Sequence, residues 1–176
     1  MRSEHQYIEA PDETPIKNKE SLFLAGSITG CWDWQKEMSQ KLSKIDILTI
    51  CNPRRKNFKS FKGAADYEES RKQIEWEFKL LQQVTQISFW FSFETLAPIT
   101  LYELGRVIEK NVQYFNDPMK GQRIFIGVDP NYERKFDVET QVGLQGYTDD
   151  ISDNINHLIE RIRIYNKNLE LFKGEF

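Results

Sequence analysis

Apolar residues fall in short runs separated by longer stretches of helical period, and that alternation predicts the elements. Ser21-Leu22-Phe23-Leu24-Ala25 reads as a first strand, and Gly26-Ser27-Ile28-Thr29-Gly30 as a glycine-bounded loop after it. Trp34, Met38 and Leu42 recur every four residues, which predicts a helix over Trp32–Ser43 with these side chains inward. Asp46–Cys51 reads as a second strand. Tyr67–Val84 reads as a long helix whose inner stripe is Ile74, Phe78 and Leu81, with Leu80 and Val84 beside it. Ile87–Phe91 is the most apolar stretch of the chain, short, aromatic and β-branched, as a buried strand should be.

Pro98 suits the first position of the next helix, where its missing N–H is no loss. Leu101, Leu104, Val107 and Ile108 should face the core, and the helix should end near Asn111 to Tyr114. Arg123–Val128 is a further strand, and Arg134–Gln145 predicts a short strand or extended loop around Val138. A last helix is predicted with Asp150 or Ser152 as its cap and Ile155, Leu158, Ile159, Ile162 and Tyr165 inward.

Strands alternating with helices imply an α/β fold: a doubly wound, Rossmann- or flavodoxin-like parallel sheet of four to five strands with helices on both faces. Residues 1–20 are mostly polar and include Pro11 and Pro15, so they predict a flexible N-terminal arm. Residues 21–176 then form a single domain.

Composition narrows the function. With 39% hydrophobic and 13% aromatic residues in 176, the chain is globular. Its 24 basic and 27 acidic residues leave a net charge of −3, which argues against binding nucleic acid by bulk attraction. Arg54, Arg55, Lys56, Lys59 and Lys62 form the one local basic concentration. No apolar run approaches the ~18 residues of a membrane span. Cys31 and Cys51 fit a reducing compartment, so a cytoplasmic location is expected. His5 and His157 lie far apart with no ligand spacing around them, and no metal or cofactor is expected.

The chemistry concentrates after strand ends, where open α/β sheets bind ligands. Glu103 lies near a helix start beyond the Ile87–Phe91 strand, with apolar neighbours and Gly105 just after it. Its plain alternative is a solvated helix glutamate. A positive helix end should keep Glu103 ionised and lower its pKa. Glu77 borders the buried face of its helix beside Trp76 and Phe78, which should raise its pKa. Arg54 and Arg55, stiffened by Pro53, either pair with site glutamates or face a ligand. Trp32 is close enough to the glycine loop to wall a base.

Four motifs in order carry a resemblance: Leu24-Ala25-Gly26-Ser27-Ile28, Asn52-Pro53-Arg54-Arg55, Gln73-Ile74-Glu75-Trp76-Glu77, and Phe89-Trp90-Phe91 with Pro98-Ile99-Thr100-Leu101-Tyr102-Glu103-Leu104-Gly105. Over about Leu22 to Val142 they resemble the nucleoside 2-deoxyribosyltransferase-like family, in its divergent Asn-Pro-Arg-Arg branch. The resemblance implies cleavage of the N-glycosidic bond of a nucleoside or nucleotide, by transfer to another base or by hydrolysis. It implies Glu103 as nucleophile, Glu77 as the carboxyl handling base or proton, and Gly26 and Ser27 as the loop holding the sugar or 5′ group; Thr29, Trp32, Asn52, Arg54, Arg55 and Asp137 complete the candidate substrate-binding set. It also implies a homodimer or higher homo-oligomer, with Tyr114, Phe115 and Arg134–Gln145 as candidate interface. Two departures stand out. Glu94–Ala97 holds no counterpart of the family's base-contacting aspartate, and Asp137 falls where the transferases lend an asparagine across subunits. The alternative function is a non-catalytic domain binding a nucleotide or an ADP-ribose derivative.

Overall fold

In a computed structural model, residues 5–55, 67–114, 120–147 and 150–173 are described. The sheet has five parallel strands: β1 Gln6–Glu9, β2 Glu20–Gly26, β3 Leu48–Asn52, β4 Gln86–Phe91 and β5 Arg123–Val128, in the order β1-β3-β2-β4-β5. The helices are α1 Trp34–Leu42, α2 Tyr67–Gln83, α3 Pro98–Asn111, α4 Lys135–Leu144 and α5 Ile155–Lys173. Both sheet faces are covered, as buried parallel strands require. Trp34, Met38 and Leu42 of α1 and Leu158, Ile159 and Ile162 of α5 close one face. Trp76, Leu80 and Leu81 of α2, Leu104, Val107 and Ile108 of α3, and Val138 and Val142 of α4 close the other. The doubly wound fold read from the sequence is the observed one.

Four local expectations are corrected. Gln6–Glu9 are not a flexible arm; they pair with β3 and form the sheet edge. Ile8 is buried there, and Gln6 Oε1 accepts from the Thr49 hydroxyl and the Lys17 N–H. The inner face of α2 is Ser70, Gln73, Trp76, Leu80 and Leu81, while Ile74 and Phe78 are 61% and 52% exposed. The indole Nε1 of Trp76 donates to the Asp12 carbonyl at 2.7 Å, which rotates the large aromatic inward and the aliphatic Ile74 out. Lys135–Leu144 is the helix α4 rather than a strand, with Val138 and Val142 on its buried side. The cap of α5 is Asn154, whose side chain accepts from the His157 N–H at 2.8 Å; Ser152 instead pairs with Gly127.

Strand order reverses around β2. The chain leaves β2 for β3 on one side and returns past it to β4 on the other. The loops after β2 and β4 therefore diverge and leave a crevice at their carboxyl ends, the usual ligand position in this class of sheet.

Candidate functional site

The floor of the crevice is fixed by close packing. A Cβ on Gly26 would stand 2.4 Å from Cζ2 of Trp34 and 2.6 Å from the Trp90 carbonyl oxygen, so only glycine fits at this strand end. The chain then turns outward through Ser27, whose carbonyl accepts from Trp34 Nε1 at 3.0 Å and Gln35 Nε2 at 3.2 Å. Gly30 completes the turn with φ +78°, a left-handed conformation that favours glycine. Asp33 caps α1 by accepting from the Lys36 N–H at 3.0 Å.

Arg54 holds this loop from the segment just after β3. Its Nη2 donates to the Ile28 carbonyl at 2.6 Å, reaches the Ser27 and Cys31 carbonyls at 3.4 Å, and lies 3.2 Å from the Cys31 sulfur. Its Nε is 3.7 Å from Asp33. Arg54 Nη2 is thus committed to loop carbonyls, while the residue also lines the adjoining cleft. Burial pushes the Cys31 thiol above its usual pKa, and the Arg54 charge only partly offsets this. Asn52 is committed as well, donating to the Tyr7 hydroxyl at 2.8 Å and accepting from the Arg54 N–H at 2.9 Å. Burial raises the Tyr7 phenol, which in turn donates to Glu9.

Together these groups wall a cleft of about 650 Å³, lined by Tyr7 and Glu9 from β1, Thr29 and Gly30 from the loop, Lys36, and Arg54 and Arg55. Arg55 also lies 3.5 Å from Glu69. Trp32 is exposed beside the cleft, and its N–H donates to Glu94 beyond β4 at 3.4 Å, a bond that bridges the two diverging loops. The Ser92 hydroxyl donates to the same carboxylate. Lys56, Lys59, Lys62 and Phe115 lie outside the described residues.

The acidic pair comes from the two helices on one face. Glu77 of α2 and Glu103 of α3 are both half-buried, and the Glu77 charge acts on Glu103. Burial raises Glu77 to about 6, while a hydrogen bond from Gln73 opposes the rise. Burial first, then the Glu77 charge, raises Glu103 to about 7, with Arg106 opposing. The expected lowering of Glu103 is therefore reversed. Pro98 opens α3, so Glu103 lies more than a turn inside, where the helix-end field has faded. The N-cap, Ala97, has φ 47° and gives no side-chain cap bond.

Asp137 is not brought to this pair. It lies on α4, 3.5 Å from Arg134, and lines a groove of about 330 Å³ shared with Leu101, Leu104, Gly105 and Ile108 of α3. Glu103 and Gly105 are two residues apart on a helix, roughly 200° around its axis. The groove is thus on the other side of α3. A Cβ on Gly105 would meet nothing within 4 Å among the described residues, so the backbone there faces open space. Tyr114 is half-buried against Gly121 rather than presented to solvent.

Several functional groups were not singled out from sequence. Gln73 and Glu77 are four apart on one helix, a spacing that signals contact. Asp33 precedes a helix in capping position, but Tyr7, Glu9 and Glu94 gave no local signal. Among the described residues, no three His, Cys, Asp or Glu side chains are grouped to hold a metal ion, and no helix is long and apolar enough to cross a membrane. A family model described as nucleoside 2-deoxyribosyltransferase like matches residues 19–115, from the start of β2 to just past α3. No curated protein matches the chain.

Proposed function

The chain belongs to the nucleoside 2-deoxyribosyltransferase-like family, and on that premise we propose that it cleaves the N-glycosidic bond of a nucleoside or nucleotide, by hydrolysis or by transfer to another base, with Glu103 and Glu77 as its catalytic carboxyls. The observation carrying this reading is the electrostatic coupling of Glu103 to Glu77 from separate helices. Two half-buried carboxyls that feel each other's charge resist double ionisation, which favours one proton retained into the neutral range. A retaining glycosyl transfer needs that inventory: one carboxylate to attack and one carboxylic acid to protonate the leaving group.

In the first step a Glu103 carboxylate oxygen bonds to the anomeric carbon as the carbon–nitrogen bond breaks. The Glu77 proton passes to the departing base nitrogen. In the second step water, or a nitrogen of another base, attacks the anomeric carbon. Its proton goes to Glu77, and Glu103 leaves as carboxylate. Burial raises both carboxyls above the usual range, and the pair shares the retained proton. The mechanism uses the form with the proton on Glu77 and the charge on Glu103. In this scheme the substrate runs from the acidic pair toward the cleft lined by Thr29, Gly30 and Arg55, whose walls include neither Glu77 nor Glu103, with Trp32 toward the base. A homo-oligomer in a reducing cytoplasm, with Asp137 reaching a neighbouring subunit's site, completes the proposal.

The test is incubation with 2′-deoxynucleosides, ribonucleosides and their 5′-monophosphates, followed by chromatography of released base. Release that Glu103→Gln abolishes supports the reading; no release from any substrate rejects it. The protonation of Glu103 weakens it as a nucleophile and favours one second reading, a binding domain for a nucleotide or ADP-ribose derivative. A binder gains thermal stability with ligand, forms no product, and keeps that gain in Glu103→Gln.

A further inference from the structure

Gln73 is 4% exposed on the inner face of α2, one turn before Glu77. Its Nε2 donates at 2.7 Å to the Pro53 carbonyl and at 2.7 Å to Glu77 Oε1. One amide group with two hydrogens thus serves two acceptors. One acceptor is backbone in the loop after β3; the other is a carboxyl of the acidic pair. A flipped amide would set oxygen against both acceptors, so its orientation is dictated. Gln73 Oε1 has no hydrogen-bond partner among the described residues. A buried orphan acceptor is costly, and its retention fits a side chain held for its donors.

We propose that Gln73 is a positioning residue: it fixes the Glu77 carboxyl against the loop carrying Asn52, Pro53 and Arg54, and so sets the acidic pair relative to the cleft. This rests on the proposed glycosidic chemistry for its purpose but not for its geometry. The strut joins the α2 side of the site to the β3 side. Arg54 extends the same connection to the loop after β2. The groups identified as acting on the pair are Gln73 on α2 and Glu103 and Arg106 on α3. Donation from Gln73 opposes the rise that burial imposes on Glu77.

The experiment is a carbon-13 NMR titration of glutamate-labelled protein without substrate, with the Glu77 signal assigned by its absence in Glu77→Gln. In Gln73→Met, which keeps the volume and removes the donors, the Glu77 midpoint should rise by about half a unit to one unit. Base release should fall roughly tenfold, in kcat more than KM. An unchanged Glu77 midpoint overturns the proposal even where base release is seen in the parent protein. A raised midpoint in a protein that releases no base supports the strut and removes only the chemistry. Should Gln73→Met fail to fold, the unsubstituted protein decides. Its Gln73 side-chain amide protons should shift with pH at the Glu77 midpoint and cease to do so in Glu77→Gln. Amide protons blind to that titration overturn it.

Discussion

Nη2 of Arg54 donates to the carbonyl of Ile28 at 2.6 Å, so the loop after β2 is held in place by the loop after β3 beside it. The planar guanidinium reaches several oxygens at once, which a lysine ammonium on a flexible stem does not. In Arg54→Lys, amide hydrogen exchange over Ile28–Cys31 should quicken by roughly tenfold or more, since charge-assisted bonds of about 1.5–3 kcal/mol are lost. Exchange within β2 should stay slow. Equal exchange in the loop of both proteins counts against the latch.

Stability should fall with rising pH between the ordinary carboxyl range and neutrality. Glu77 and Glu103 are raised from 4.5 to about 6 and about 7, so the folded protein binds their protons more tightly than the unfolded chain. Their stabilisation is fully present below pH ~4.5 and is lost as pH rises through the folded values. Glu103→Gln removes one of these groups and the repulsion with Glu77. It should be more stable than the parent at pH 8, by about 1–3 kcal/mol, with a flatter pH profile. Urea unfolding at pH 5 and pH 8 measures both.

Gly26→Ala should be costly although it adds one methyl. The new carbon would fall 2.4 Å from the Trp34 ring and 2.6 Å from backbone at Trp90, and neither neighbour has room to withdraw from the core. Overpacking of this kind costs about 1–3 kcal/mol. Thermal unfolding should show a loss of several degrees.

Two aromatic residues on α2 should respond unequally. Trp76→Phe removes the indole donor from the Asp12 carbonyl in a buried position and should cost about 1–3 kcal/mol. Phe78→Ser alters a half-exposed ring whose named partner is Arg106, 4.7 Å over its face, and should change stability by about 1 kcal/mol or less. Chemical denaturation of the two variants compares them. A larger loss for Phe78→Ser would restore the stripe read from periodicity.

The elements legible in the sequence are those where burial and hydrophobicity coincide. β2, β4 and β5 are near-continuous apolar runs because both faces are covered, and Trp34, Met38 and Leu42 leave no doubt about α1. β1 was invisible because only Ile8 in Gln6–Glu9 is buried; pairing with β3, not side-chain pattern, makes it a strand. α4 was misread because Val138 and Val142 are its only buried residues and β-branched valine suggests strand. On α2 the polar Ser70 and Gln73 go inward toward the loop after β3, which no hydrophobic count foresees. Motif order led to Glu77 and Glu103, but the direction of the Glu103 shift is set first by burial and then by the Glu77 charge, neither of which its place near a helix start reveals.

Because β1 precedes the matched segment 19–115 yet supplies Tyr7 and Glu9 to the cleft, part of the cleft is built from chain outside that match. A truncated protein starting at Lys19 would lose that wall and leave one margin of β3 unpaired. Bare backbone donors and acceptors along such a margin invite strand addition by other copies. The four residues of β1 thus act as a selvedge as well as a wall.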